Sequence, residues 1–260
     1  MRGWLCLVVA LTVVATVAVP GASGLVVRGP VGGLHFSDVM AAPSSSSAYN
    51  WAGYALTSGS GTVTTVTGAW VEPTVKCPRG TTLAAFWIGI DGYSSSTVEQ
   101  TGTLAQCSHG TASYYSWWET YPANAVQTFA SVKGGDSFTA SVTYNSATSA
   151  FTMTIKDVTS GTTWTKTSTN SGATETSAEC IAERPAGASN SSGLYALANF
   201  GTVSFSSCTA TVSGSSGGIG SFSTVYEITM VSYPSGSRTL ATPSSLTNNS
   251  AFSVAWKHAS

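Results

Sequence analysis

The chain has 260 residues, a formal net charge of −1 and only 8% charged residues, against about 25% in an average soluble domain. With almost no net charge and no Lys/Arg cluster, there is no electrostatic footprint for nucleic acid. Few ion pairs also leave little stability to lose when carboxylates take up protons, a composition suited to acidic surroundings.

Arg2 precedes an apolar run from Leu5 to Val19, and Pro20-Gly21-Ala22-Ser23-Gly24 supplies small residues for cleavage. Residues 1–24 therefore read as a secretory signal, and the expected product is an exported, extracellular protein. No later stretch is long enough to cross a bilayer, so no membrane association is expected. Residues 25–48 carry Gly29-Pro30, Gly32-Gly33 and Ala42-Pro43-Ser44-Ser45-Ser46-Ser47, the composition of a short propeptide or flexible leader. Residues 49–260 are enough for one β domain with a sizeable core, and no second boundary interrupts them.

Phe86-Trp87-Ile88-Gly89-Ile90-Asp91-Gly92 reads as a buried strand entering an Asp-Gly turn, and Val98-Glu99-Gln100-Thr101-Gly102 as a short strand presenting Gln100. Further runs rich in Val, Thr and aromatic residues predict strands at Thr62 to Val71, Ser113 to Glu119, Ser137 to Tyr144, Phe151 to Val158 and Ser177 to Glu183. Others follow at Leu194 to Phe200, Val203 to Thr211, Val225 to Val231 and Phe252 to Trp256. No window has a helical period. The predicted fold class is all-β, an antiparallel β-sandwich of two curved sheets of the jelly-roll or concanavalin-like type.

Side chains alternate along a strand, so Ala178, Cys180 and Ala182 suit an inter-sheet core and leave Glu179, Ile181 and Glu183 on the opposite face. The same logic pairs Trp117 with Glu119, and groups Trp87, Gly89 and Asp91. One face carrying Trp87, Asp91, Gln100, Trp117, Glu119, Glu179 and Glu183 would be an aromatic-lined groove holding much of the chain's scarce acid, whereas any one acid taken alone reads better as a residue of a solvated outer face.

Familiar catalytic groupings are missing from the sequence. His109 is the one histidine well inside the domain, no Gly-x-Ser-x-Gly surrounds a serine, and there is no His-Glu-x-x-His or phosphate loop. Nothing calls for a metal or organic cofactor. What remains is carboxylate or carboxylate-plus-amide chemistry. Glu119 with Glu183 would suit a glycoside hydrolase, and an aromatic groove without catalysis would suit a carbohydrate-binding module.

Cys6 leaves with the signal; of the five cysteines, Cys77, Cys107, Cys180 and Cys208 remain. An even count in an exported chain favours two disulfides in one of three connectivities, with Cys77–Cys107 and Cys180–Cys208 preferred.

The domain resembles the glutamic peptidases, or eqolisins. The resemblance rests on Asn50-Trp51-Ala52-Gly53, Val66-Thr67-Gly68-Ala69-Trp70-Val71-Glu72-Pro73, Trp87-Ile88-Gly89-Ile90-Asp91-Gly92 and Gln100-Thr101-Gly102. It continues through Trp117-Trp118-Glu119-Thr120-Tyr121-Pro122, Ala178-Glu179-Cys180-Ile181-Ala182-Glu183-Arg184-Pro185 and Ala198-Asn199-Phe200-Gly201. It implies a secreted acid endopeptidase acting on proteins, with its groove on a concave sheet face. It also implies a catalytic pair at Gln100 and Glu183, supported by Trp87, Asp91 and Glu119. Glu183 would be general base and then acid, and Gln100 would hold the oxyanion. Two departures stand out: Cys180 replaces a residue that is often Trp in the family, and Tyr93 to Val98 is a residue shorter than in fungal members, which bears on the register of Gln100. A monomer is the default.

Overall fold

The computed structural model describes residues 46–260, so the expected signal and nearly all of the leader lie outside the described residues. The first strand, β1 (Ser47–Ala48), lies slightly ahead of Tyr49. Chain order continues with β2 (Trp51–Thr57), β3 (Val63–Val71), β4 (Thr82–Ile90), β5 (Val98–Ser108), β6 (Thr111–Tyr121) and β7 (Asn124–Val132). Next come β8 (Ser137–Asn145), β9 (Ala150–Asp157), β10 (Thr163–Thr169), β11 (Ser177–Glu183) and β12 (Ala196–Leu197). The last are β13 (Thr202–Val212), β14 (Ser215–Gly218), β15 (Val225–Val231), β16 (Thr239–Pro243) and β17 (Phe252–Trp256). Among the described residues the only helical element is a 3-10 turn at Ile219–Ser221.

The strands form two layers. The first runs β7-β6-β5-β4-β11-β2-β15, antiparallel throughout, with β12 added parallel to the start of β4. The second runs β10-β9-β8-β3-β13-β17-β16-β15, with β14 as a hairpin on β13 and β1 parallel to β15. Strand β15 belongs to both: Val225–Ile228 pair with β2, and Met230 and Val231 with β16. The hydrogen-bonded network is thus continuous around one side of an all-β sandwich, as expected.

Alternation decides what each face buries. From the first layer Ala52, Leu56, Ala84, Phe86, Ile88, Ala178, Cys180 and Ala182 meet Val66, Trp70, Phe138, Val142, Phe205 and Val254 of the second. Within this core the Trp70 indole donates to Thr103 Oγ1 at 2.8 Å, satisfying a donor that burial would otherwise strand. The expected disulfides are both present: Cys77–Cys107 and Cys180–Cys208. The second joins β11 to β13 across the core.

Two expectations need correction. Leu194 to Phe200 is not a full strand; only Ala196–Leu197 pairs with β4, and the flanks are held by isolated bridges at Leu194 and Asn199. Its end is taken up by an Asn199 turn whose side chain accepts from Gly201 N–H. Conversely, the sequence reading passes over β1, β2, β7, β10, β14 and β16. Strand β10 (TWTKTST) is mostly exposed and has no apolar alternation to reveal it.

Candidate functional site

The outer face of the first layer carries a second apolar cluster: Trp51, Ala55, Leu83, Ala85, Trp87, Val98, Leu104, Trp117 and Ile181, with Tyr93, Tyr115, Tyr195 and Tyr226 partly buried against it. Directly opposed residues in an antiparallel ladder share a face, so the register places each polar group. Glu183 lies opposite Trp51 on one side and Ala85 on the other. Two residues along, Ile181 faces Trp87, Trp87 faces Gly102, and Gly102 faces Trp117. Two further on, Glu179 faces Gly89, Gly89 faces Gln100, and Gln100 faces Glu119. The short Tyr93 to Val98 connection therefore leaves Gln100 on the same face as Glu183.

Glycines make room for this arrangement. A Cβ on Gly102 would come within 2.3 Å of the Phe86 carbonyl oxygen and 2.5 Å of the Trp87 Cβ. A Cβ on Gly89 would sit 3.0 Å from the Trp87 ring and 3.1 Å from the Gln100 Cβ. The Trp87 indole consequently lies across the sheet over Gly89. Its edge packs against Trp51, with centroids 4.9 Å apart and planes at 77°.

Two hydrogen bonds organise the polar groups. Trp87 Nε1 donates to Glu183 Oε2 at 2.8 Å, and Gln100 Nε2 donates to Glu119 Oε2 at 2.9 Å. All four side chains are fully buried. Burial pushes the Glu183 carboxyl well above the ordinary carboxylate range, and the charge of Glu119 pushes it the same way. The Trp87 indole, Asn50 and the Trp51 indole oppose this by stabilising the anion, though the Trp51 N–H closes no full hydrogen bond.

Other predicted residues are placed differently. Glu179 is fully buried in the row of Gln100, and desolvation raises its carboxyl strongly; Asp91 and Glu99 add to the rise, while the Ser177 hydroxyl and Tyr93 N–H oppose it. Asp91 does not simply continue the alternation of β4, because its φ is +69°. Its carboxylate accepts from the backbone N–H groups of Thr174, Glu175 and Thr176 at 2.7, 2.9 and 2.8 Å, and from the hydroxyls of Thr174 and Thr176. It anchors the segment that enters β11 rather than lining the groove. Trp117 is buried in the row of Trp87, as the alternation implies.

Sequence reasoning gave no role to Asn50 and Trp51, although both sit in the Asn50-Trp51-Ala52-Gly53 motif that carries the family resemblance. It also missed Glu99, which points away from the groove and accepts from Asn170 at 2.7 Å. Among the described residues no three His, Cys, Asp or Glu side chains are grouped to hold a metal ion. His109 is exposed and pairs with Ser108.

The arrangement presents a neutral amide, oriented by one carboxylate, on the same buried face as a second carboxyl oriented by an indole. Comparisons with known proteins identify the family. The sequence profile of the Peptidase A4 family matches residues 49–256. Aspergillopepsin-2 of Aspergillus niger is 34% identical over 140 residues, 52% of this chain and 48% of that protein, so the match spans about half of the relative's length. The crystal structure of aspergilloglutamic peptidase from Aspergillus niger superposes with a TM-score of 0.56 at 30% identity, covering 68% of this chain and 99% of that one. Scytalido-glutamic peptidase bound to a peptide-based transition state analog superposes with a TM-score of 0.66 over 80% of this chain and 98% of that one; at 24% identity it speaks for the fold alone.

Proposed function

We propose that this chain, which belongs to the Peptidase A4 family of glutamic peptidases, is a secreted acid endopeptidase that cleaves peptide bonds in proteins through Gln100 and Glu183. The observation that carries the reading is the pair of oriented hydrogen bonds, Gln100 to Glu119 and Trp87 to Glu183, on one face of one sheet.

An unactivated amide needs a base for the attacking water, a donor for the tetrahedral oxyanion and an acid for the leaving nitrogen. Glu183 meets the first and third needs in turn. As carboxylate it takes the proton of the water, and as acid it returns that proton to the amine. Burial and then the charge of Glu119 favour the acid form, and Trp87, Asn50 and Trp51 act in the opposite direction. The Glu119 carboxylate is an acceptor only, which fixes the amide of Gln100 with its NH₂ toward Glu119 and its carbonyl oxygen elsewhere. Gln100 therefore offers the second hydrogen of Nε2 to the oxyanion and its carbonyl oxygen to the water, without a titration of its own.

The test is hydrolysis of denatured casein in acidic buffer by the wild-type chain and by Glu183→Gln and Gln100→Ala, beside a neutral polysaccharide as control substrate. Glu183→Gln is expected to retain the fold and lose turnover, and Gln100→Ala to fall by about 10²–10³, the usual loss for an oxyanion donor. Wild-type rates in Glu183→Gln, or release of sugar in place of peptides, would overturn the proposal.

A further inference from the structure

Strands β7 and β10 are the free edges of the two layers, and between them lies a cleft of about 560 Å³ that has no part in the groove described above. Two turns border it: residues 133–136 between β7 and β8, and residues 158–162 between β9 and β10. Trp164 forms one wall, its ring stacked on Phe129 with planes 18° apart. Around it stand Lys133, Asp136, Asp157, Ser160 and Thr162.

Part of this polar lining is committed to the turns. Asp136 Oδ2 accepts from Lys133 N–H at 2.9 Å, and Asp157 Oδ1 from Ser160 N–H at 3.0 Å. The second oxygen of each aspartate, the Lys133 ammonium and the Trp164 indole N–H make no hydrogen bond to protein among the described residues. Asp157 is only 4% exposed, yet it lines the opening. Its second oxygen is open to the cleft, where it can accept from a ligand hydroxyl.

From this lining we infer that the cleft is a binding site for a neutral pyranose sugar, free or as a unit of a glycan. A flat indole offers an apolar platform, while carboxylates, an ammonium and hydroxyls around it offer acceptors and donors together. Sugar hydroxyls need both kinds at once. An anion would face two carboxylates, and a cation would use the acceptors and leave Lys133 and the indole N–H unanswered. The volume lies within the range of sites for small molecules, about 300–1,000 Å³.

The inference is independent of the peptidase reading and is tested without it. The mature chain is titrated with maltose, cellobiose, mannobiose and chitobiose by ligand-observed NMR, in the wild type and in Trp164→Ala, Asp136→Asn and Glu183→Gln. Saturable binding of at least one disaccharide is expected, about tenfold or more weaker in Trp164→Ala, weakened in Asp136→Asn and unchanged in Glu183→Gln. Asp136→Asn keeps an oxygen for the turn, so it remains informative if Trp164→Ala fails to fold. Absence of saturable binding, binding that survives in both cleft variants, loss of binding in Glu183→Gln, or displacement of the sugar by a short lysine peptide would overturn the inference.

Discussion

Gln100 and Glu119 face each other across β5 and β6 and are joined by a 2.9 Å hydrogen bond, while the charge of Glu119 also raises the Glu183 carboxyl. One acid thus orients one member of the proposed pair and tunes the other. Glu119→Gln keeps an acceptor for the Gln100 amide and removes the charge. The Glu183 pKa should fall, because a like charge that disfavoured its anion is gone. The acid limb of the kcat/KM profile is then expected to move to lower pH, with a loss of rate of about tenfold from the weaker hold on Gln100. An acid limb that stays in place would mean Glu119 does not act on Glu183.

The shared face of Glu179 and Glu183 was legible from alternation alone. Ala178, Cys180 and Ala182 read as core residues, which left Glu179 and Glu183 together, and the ladder bears this out. Asp91 escaped the rule because its positive φ turns the chain at the strand end, and no periodicity reports that. The burial of Glu72 and Glu99 was hidden for a related reason: a lone acid in a β pattern reads as solvated, and only the packing of both layers shows otherwise. Strand β10 was invisible because its pairing with β9 rests on backbone bonds and Thr–Thr contacts rather than on an apolar stripe.

Trp87→Phe separates the hydrogen bond from the packing. The ring still fills the space against Trp51, but the indole donor to Glu183 is lost. Hydrogen bonds to charged groups contribute about 1.5–3 kcal/mol, so the Glu183 pKa should rise further. The acid limb of kcat/KM is expected to shift to higher pH, opposite in direction to Glu119→Gln. A drop in rate without any shift in the profile would assign Trp87 to packing alone.

Asp91 holds the segment before β11 through three backbone N–H groups. Asp91→Ala leaves those donors without their acceptor and is expected to destabilise the fold by about 3–5 kcal/mol, measured by urea unfolding. Asp91→Asn retains one acceptor oxygen and a side chain tolerant of positive φ, so its cost should be clearly smaller. Equal losses in the two variants would show that charge, not bond count, dominates.

Glu72 is fully buried beside Thr103, and desolvation holds its carboxyl at about 8, with the charge of Asp136 adding to the rise and the Thr103 hydroxyl opposing it. Glu99 is raised to about 9, first by burial and then by Asp91. A carboxyl with a folded pKa above its unfolded value binds its proton more tightly in the native state. Its contribution is therefore complete below the unfolded pKa near 4.5, declines as pH rises, and is gone above the folded pKa. Each such group steepens the loss by about 1.4 kcal/mol per pH unit within its window. Thermal unfolding between pH 3 and 8 is expected to give the highest Tm at the acidic end and a steady fall above pH 5. Glu72→Gln supplies a permanently neutral side chain of the same shape and should make the fall shallower by one proton. A Tm that rises toward neutrality, or a Glu72→Gln slope equal to wild type, would show that these carboxyls are ionised in the native state and that acid stability comes from elsewhere.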